Sequence, residues 1–299
     1  MNRRNFLAGA LAVLVMALGC WTVNADPKVV HLVNSRSQSA TILIPGATNR
    51  LKLMHITDAH ISVSVEQEAG MMKNAERMHK AYTGTRRHFS QEVSKTTFQY
   101  LDDVLQRAKK EHVELLLLTG DIVNFPSPAS VAYVCDRLKK TGIPWLYIAG
   151  NHDWHYEGLE GTLESLRSTW IEKSLLPLYQ GRNPLFYSEV IQGINFVGID
   201  NSTMQVSREQ TEFLKAQLAR PEPIILLSHI PYNFSEEGKN REMAAFAGTL
   251  SANASKIVGI FAGHIHQSTY SFTGNLCQYV CLPCFEGASF VVEIKPTQP

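Results

Sequence analysis

The sequence predicts an α/β fold: a four-layer α-β-β-α sandwich of two mixed sheets flanked by helices, with a metal site at the strand ends. Three observations carry this. Five short apolar runs each end in a metal-ligand residue. Segments of helical period stand among them, and strand-like segments close the chain from Thr269 to Ile294. Strand–helix alternation followed by closing strands places helices outside two packed sheets.

In chain order, residues 1–25 read as an export signal. Arg3-Arg4-Asn5-Phe6-Leu7 is a twin-arginine-like start, an apolar stretch runs from Leu7 to Leu18, and Val23-Asn24-Ala25 offers a small-residue cleavage site. The expected destination is the periplasm or the medium. The alternative is a membrane-anchored lipoprotein cut before Cys20, although Ala17 stands where Leu is usual in such a site. A retained anchor is a further reading, but the stretch is short of the roughly 20 apolar residues a spanning helix needs. Residues 26–50 read as a linker with a short hairpin or edge strand, and residues 51–299 as the main domain.

Leu51–Thr57 is the first apolar run and leads into Asp58-Ala59-His60. Residues 61–87 are polar, hold Gly70, Gly84 and the pair Met71-Met72, and lack a clear period. So long a loop is commonly functional, and it reads as a partly helical cap beside the site. A helical face of Phe98, Leu101, Val104, Leu105 and Ala108 predicts a helix over 89–110. Glu114–Thr119 is a buried strand running into Gly120-Asp121; 128–140 is helical; Pro144–Ala149 runs into Gly150-Asn151-His152-Asp153. A helix over 161–174 precedes two strands, Leu185–Val190 and Ile194–Ile199, around a Gln192-Gly193 turn. Ser207 caps a helix that stops before Pro221. Pro223–Ser228 runs into His229, an Ala-rich helix covers 237–254, and Lys256–Ala262 runs into Gly263-His264-Ile265-His266.

Composition excludes little but does narrow the partners. The 28 Lys and Arg nearly balance 27 Asp and Glu, and removal of Arg3 and Arg4 with the signal would leave 26 basic residues, a net charge of −1. Neither nucleic-acid steering nor a polybasic membrane patch is suggested. Cys277, Cys281 and Cys284 form a Cys-x3-Cys-x2-Cys cluster that could pair, ligate metal or simply pack. A structural zinc is disfavoured because a fourth ligand is not nearby.

The strand ends carry the chemistry. Ligands in packed α/β sheets sit beyond the strand ends, so the runs deliver two Asp, one Asn and five His to one place. Asp58 and His60 are two apart, which on an extended strand would point both side chains one way. Gly120 would let the backbone turn so that the Asp121 carboxylate reaches between two ions. Asn151 offers a neutral oxygen. His152 would face a phosphate oxygen and give a proton to the leaving group, with Asp153 orienting its imidazole or serving as a turn contact. His229, His264 and His266 complete a nitrogen and oxygen set suited to zinc, manganese or iron. His155, Tyr156 and Tyr232 are sequence neighbours of these groups and candidates for the mouth of the site; packing against the sheet rim is the other reading.

The ordered set Asp58-x-His60, Gly120-Asp121, Gly150-Asn151-His152-Asp153, His229 and Gly263-His264-x-His266 resembles the calcineurin-like metallophosphoesterase superfamily over roughly residues 50–295. Each motif is weak alone, and five in this order are specific. The resemblance implies two divalent or trivalent ions (Fe, Mn or Zn). Asp58, His60 and His266 would hold one, Asn151, His229 and His264 the other, and Asp121 would bridge them. It implies hydrolysis of small phosphate mono- or diesters by metal-activated hydroxide attack, with His152 binding phosphate and assisting the leaving group; Asn151 and, by its place in the sequence, His155 are further candidates for substrate contact. Purple acid phosphatases place Tyr three residues after the bridging Asp; here that residue is Asn124 and His60 is present. The chain therefore looks more like the branch with class III cyclic-nucleotide phosphodiesterases and exported phosphatases. Alternatives are an exported phospholipid- or sphingomyelin-type phosphodiesterase, with Met71, Met72 and Met78 supplying an apolar approach, and a catalytically silent metal-binding relative.

Overall fold

A computed structural model describes residues 29–232, 241–273 and 276–297. The export signal, Cys20, the first residues of the 26–50 segment and residues 237–240 of the expected Ala-rich helix lie outside the described residues.

Two six-stranded mixed sheets form the centre. Val30–Asn34 (β1), Ser39–Ile44 (β2), Leu51–Ile56 (β3), Leu115–Leu118 (β6), Trp145–Tyr147 (β7) and Phe290–Pro296 (β14) make the first, in the order β1-β2-β14-β3-β6-β7. Phe186–Ile191 (β8), Ile194–Ile199 (β9), Ile224–Leu227 (β10), Ile257–Ala262 (β11), Thr269–Thr273 (β12) and Leu276–Val280 (β13) make the second, in the order β12-β13-β11-β10-β9-β8. Arg86–Arg87 (β4) and Ser94–Lys95 (β5) form a small separate ribbon. The sheets face each other through Leu53, Leu117, Ile148, Phe196, Leu227, Phe261 and Tyr279, all buried. Buried parallel strands need apolar residues on both faces, which is why β6 can be four consecutive leucines.

Helices close the outer faces. Thr97–Lys110 (α2), Pro128–Thr141 (α3), Leu163–Trp170 (α4) and Leu176–Tyr179 (α5) lie on the first sheet. Arg208–Leu218 (α6) and Arg241–Ala252 (α7) lie on the second. A π-helical turn, Ile171–Leu175, joins α4 to α5 and carries the expected 161–174 helix on to Tyr179. The helix expected over 89–110 begins at Thr97. Residues 86–95 are taken by β4 and β5, and Thr96 with Gln99 forms a capping box that fixes the start. Ser207 and Gln210 do the same for α6. The 61–87 segment holds the helix Ala69–Thr83 (α1), whose Ala75 and Met78 are buried with Phe125 and Tyr156. Met71 and Met72, partly buried, pack against the same cluster.

Candidate metal centre

β3 ends at Ile56, and the two residues expected to share one face of an extended strand are in left-handed backbone conformations, Asp58 at φ 52° and His60 at φ 47°. Asp121, His264 and His266 are also left-handed, at φ 51°, 69° and 53°. For side chains other than glycine this conformation costs roughly 1–2 kcal/mol per residue, so neighbouring structure must hold it. Backbone bonds do so. Asp58 N–H donates to the Gly120 carbonyl (3.0 Å), His60 N–H to Asp121 (2.9 Å) and Ile61 N–H to Ile122 (3.0 Å), zipping the loops after β3 and β6 together. The turn Cys284–Glu286 clamps the first loop from the other side, with Cys284 N–H donating to Thr57 (2.8 Å) and Phe285 N–H to Asp58 (3.1 Å).

Glycines let these loops close up. A Cβ on Gly120 would stand 2.5 Å from Gly150 N and 2.6 Å from His229 Nδ1, and Gly120 itself is left-handed at φ 89°. A Cβ on Gly263 would stand 1.9 Å from Thr57 Oγ1.

The side chains then converge. Three clusters form, Asp58 with His60 and His266, His60 with Asp121 and His152, and Asp121 with His229 and His264, each with ligand atoms within 4.8 Å of one another. His266 Nε2 is 3.2 Å from Asp58 Oδ1, His229 Nε2 is 3.3 Å from Asp121 Oδ2, and His60 Nε2 is 3.8 Å from both carboxylates. His229 Nδ1 lies 2.8 Å from the Thr119 carbonyl, which assigns its proton there and leaves the Nε2 lone pair inward. The Asn124 amide oxygen is positioned to do the same for His60 Nδ1 at 3.4 Å.

These residues fit a pair of cations. Asp58 Oδ1, His60 Nε2, His229 Nε2 and Asn151 Oδ1 are buried and make no hydrogen bond. Acceptor atoms buried without donors are costly, and a cation between them removes the cost. Burial opposes ionisation of Asp58, but His266 and His60 hold its pKa well below the usual carboxylate range. Burial also opposes a charged His229, but Asp121 and Asp58 raise its pKa to about 10.

Asp58, His60, Asp121, His229, His264 and His266, six of the seven expected ligands, lie in these clusters, and the seventh, Asn151, follows β7 with its amide oxygen buried and unpaired. His152 is there too. Its N–H donates to Asp121 Oδ1 (2.8 Å), and its Nδ1 lies 3.2 Å from both Asn124 oxygens. Asp153 does not orient that imidazole. Its carboxylate accepts from Val123 N–H and Gly150 N–H, both at 2.8 Å, and so ties the loop after β7 to the loop after β6. Burial and the charge of Asp121 push its pKa up to about 7. His155 is half-buried, with a pKa lowered by burial and then by His152. Tyr156 and Tyr232 are buried packing residues, against Phe125 and Phe246 respectively, and do not line a mouth. Cys277, Cys281 and Cys284 are free and buried, and Cys281 Sγ meets His55 Nδ1 at 2.9 Å.

Three further neighbours were not among the expected site residues. The Tyr82 ring, on the cap helix, stacks on the His60 imidazole at 4.1 Å with planes 7° apart. Phe285 presents an edge contact to His60, His266 and Tyr82. Asn201 Oδ1 accepts from His229 N–H (3.1 Å) and Ile230 N–H (3.0 Å), fixing the turn after β10.

The profile of the calcineurin-like phosphoesterase family matches residues 51–268. The chain belongs to that family. Within it, the chain is 39% identical over 61 residues to a probable cyclic nucleotide phosphodiesterase of Moraxella catarrhalis (strain BBH18), 20% of this chain and 22% of that one. It is 27% identical over 108 residues to the DNA double-strand break repair protein Mre11 of Saccharolobus solfataricus (strain ATCC 35092 / DSM 1617 / JCM 11322 / P2), 34% of this chain and 23% of that one. The match thus spans less than a quarter of either relative's length. In fold the chain is similar to a dimetal phosphatase from Danio rerio, with a TM-score of 0.55 at 13% identity over 79% of this chain and 88% of that one. The family match stops before the Cys284–Glu286 turn, which clamps Asp58, and before β14, which pairs with β3.

Proposed function

We propose that this calcineurin-like protein is a dinuclear-metal phosphoesterase that hydrolyses phosphate mono- or diesters. The supporting observation is the clustering of Asp58, His60, His229, His264 and His266 about Asp121, with buried atoms of Asp58, His60 and His229 left without a hydrogen bond. Asp58, His60, Asp121 and His266 would hold one ion, and Asp121, Asn151, His229 and His264 the other. The donors are imidazole nitrogen, carboxylate and amide oxygen without thiolate, which suits zinc, manganese or iron. Bound divalent ions would supply Lewis acidity toward the phosphoryl oxygens and lower the pKa of a water to about 7.

The chain's own residues supply the rest. His152 is pinned through its N–H to Asp121 and through Nδ1 to Asn124, so Nε2 is the atom free to give a proton to the leaving oxygen. Tyr82 and Phe285 cover His60, excluding water from its ring and holding its Nε2 in place. A single carboxylate at Asp121 between two sites tempers the repulsion of two cations. The signal-like segment 1–25 supports export to the periplasm or medium.

The test is a panel of mono- and diesters with the chain reconstituted in Mn²⁺, Zn²⁺ or Fe²⁺, together with His152→Ala. Turnover of at least one ester class is expected. Loss of the proton donor should reduce it by about 10²–10⁴-fold, more for alkyl than for nitrophenyl leaving groups. A metal-replete chain that turns over none of the panel would refute the reading. Equal losses for both leaving groups would reduce His152 to a phosphate-positioning role.

A further inference from the structure

Arg86, at the end of the cap, has surroundings that differ from those of its charged neighbours. Arg77 is paired with Glu157, Lys80 with Glu76, Arg87 with Glu92, and Lys95 with Asp103. No carboxylate among the described residues pairs with Arg86. Its guanidinium donates to the Ala81 carbonyl and lies over two aromatic rings, 5.0 Å from the Tyr82 centroid and 5.4 Å from that of Phe285. Those are the rings that cover His60, and Phe285 also touches His266. Arg86 is therefore one ring's depth from the metal-ligand imidazoles. His152 also meets His60, at 4.6 Å between ring centroids, so the candidate proton donor and the Tyr82–Phe285 pair share one imidazole neighbour.

Its geometry is held from both ends. The Arg86 carbonyl accepts from the Tyr100 hydroxyl at 2.8 Å, and Arg86 pairs in register with Lys95 across the β4–β5 ribbon. The side chain is half-buried, so its position is set by packing and not by free rotation. A guanidinium that donates to one backbone carbonyl retains further N–H groups in the fork geometry that matches phosphate and carboxylate.

We propose that Arg86 receives a second anionic group of the substrate, so that this site takes phosphoesters bearing another phosphate or a carboxylate. The proposal rests on the phosphoesterase reading above and narrows its substrate class. Tyr82 and Phe285 form the floor that presents the guanidinium.

The test uses the full metal-reconstituted chain and three non-hydrolysable anions: methylenediphosphonate, phosphonoacetate and methylphosphonate. Affinities are measured by calorimetry for the wild type, Arg86→Gln and the charge-retaining Arg86→Lys, with metal content assayed in each. The glutamine variant should weaken methylenediphosphonate or phosphonoacetate about tenfold or more relative to methylphosphonate, and lysine should restore part of the difference. Which of the two responds identifies a phosphate or a carboxylate as the second group. An equal change for all three, or none, overturns the proposal, as does loss of bound metal in both variants, which would make Arg86 a brace for the Tyr82–His60 stack. A chain that binds these anions through Arg86 but hydrolyses no ester refutes the phosphoesterase reading alone; one that hydrolyses esters with no Arg86 dependence refutes this inference alone.

Discussion

The amide oxygen of Asn124 lies 3.2 Å from Nδ1 of His152. The same oxygen is 3.4 Å from His60 Nδ1, and the amide nitrogen donates to the Met78 carbonyl at 2.6 Å. One side chain thus sets a metal-ligand candidate and the candidate acid while fastening both to the cap helix. Asn124→Ala should lower turnover by about 10–100-fold, the range for groups that orient ligating imidazoles. Asn124→Asp, which keeps the acceptor, should recover part of it. Steady-state kinetics on one small ester, with metal content measured alongside, decides the matter; alanine activity equal to wild type would assign Asn124 to the scaffold.

Metal binding should release protons. Asp58 and Asp121 favour a charged His229, raised to about 10, and Asp58 also raises His266. In the cation-free chain His229 carries a proton at pH 7 and must shed it to ligate, and the upward shift of His266 acts in the same direction. Affinity therefore rises with pH. Calorimetry in buffers of different ionisation enthalpy should give different apparent heats, and identical heats would contradict the prediction. Two ions per chain are expected, and Asp121→Asn should weaken both because it removes the shared anion. Saturation at one ion, with His229 and His264 dispensable, would argue for a mononuclear site.

The seven ligand candidates were legible in the sequence because each follows a buried apolar run, and a strand buried on both faces announces its end. What brings them together was not legible. Asp58 and His60 were expected to share a face by strand alternation; instead both sit in left-handed loops held by Gly120, Asp121 and the Cys284–Glu286 turn, contacts made across 60 to more than 200 residues. Asp153 reads as a partner for the adjacent His152, yet its oxygens turn to Val123 and Gly150, because backbone amides in a tight loop compete for a short carboxylate. Tyr82 lies in a cap whose local pattern is irregular, so only its stack on His60 gives it meaning. The misplaced start of α2 has a similar cause: Phe89 and Val93 mimic helical period, but the chain pairs Arg86–Arg87 with Ser94–Lys95 first.

Gly263→Ala should cost far more than its single methyl suggests. Its Cβ would lie 1.9 Å from Thr57 Oγ1 and 2.4 Å from Asp58 Oδ2, so the two metal loops must part. Overpacking of this kind destabilises by about 1–3 kcal/mol, and bound metal should fall with it. Gly70→Ala is the control. It lies in α1 with nothing within 4 Å of a built Cβ, and should stabilise by up to ~1 kcal/mol. Urea unfolding of both variants separates the effects; similar midpoints would mean the loops tolerate the added methyl.

Acidification should destabilise the fold through a histidine outside the ligand set. His55 is fully buried on β3, with Nε2 2.6 Å from Thr119 Oγ1 and Nδ1 2.9 Å from Cys281 Sγ. Burial pushes its pKa down to about 3, against a smaller opposing effect of the Asp58 charge. His31, 2.6 Å from the Tyr279 hydroxyl, is lowered to about 4 by burial. Unfolded histidine titrates near 6.5, so below that pH the unfolded chain binds protons that the folded chain refuses. Stability is then complete above pH ~6.5 and falls as the pH drops toward the folded values, by at most ~1.4 kcal/mol per unit for a fully buried ring such as His55. Urea unfolding at pH 7.5, 6 and 5 measures the slope. His55→Gln should be less stable at pH 7.5, where it loses packing and a hydrogen bond, but should show a shallower decline on acidification. Since the metal-ligand histidines titrate in both proteins, the difference between the two slopes isolates His55, and parallel slopes would show that its protonation does not limit folding in acid.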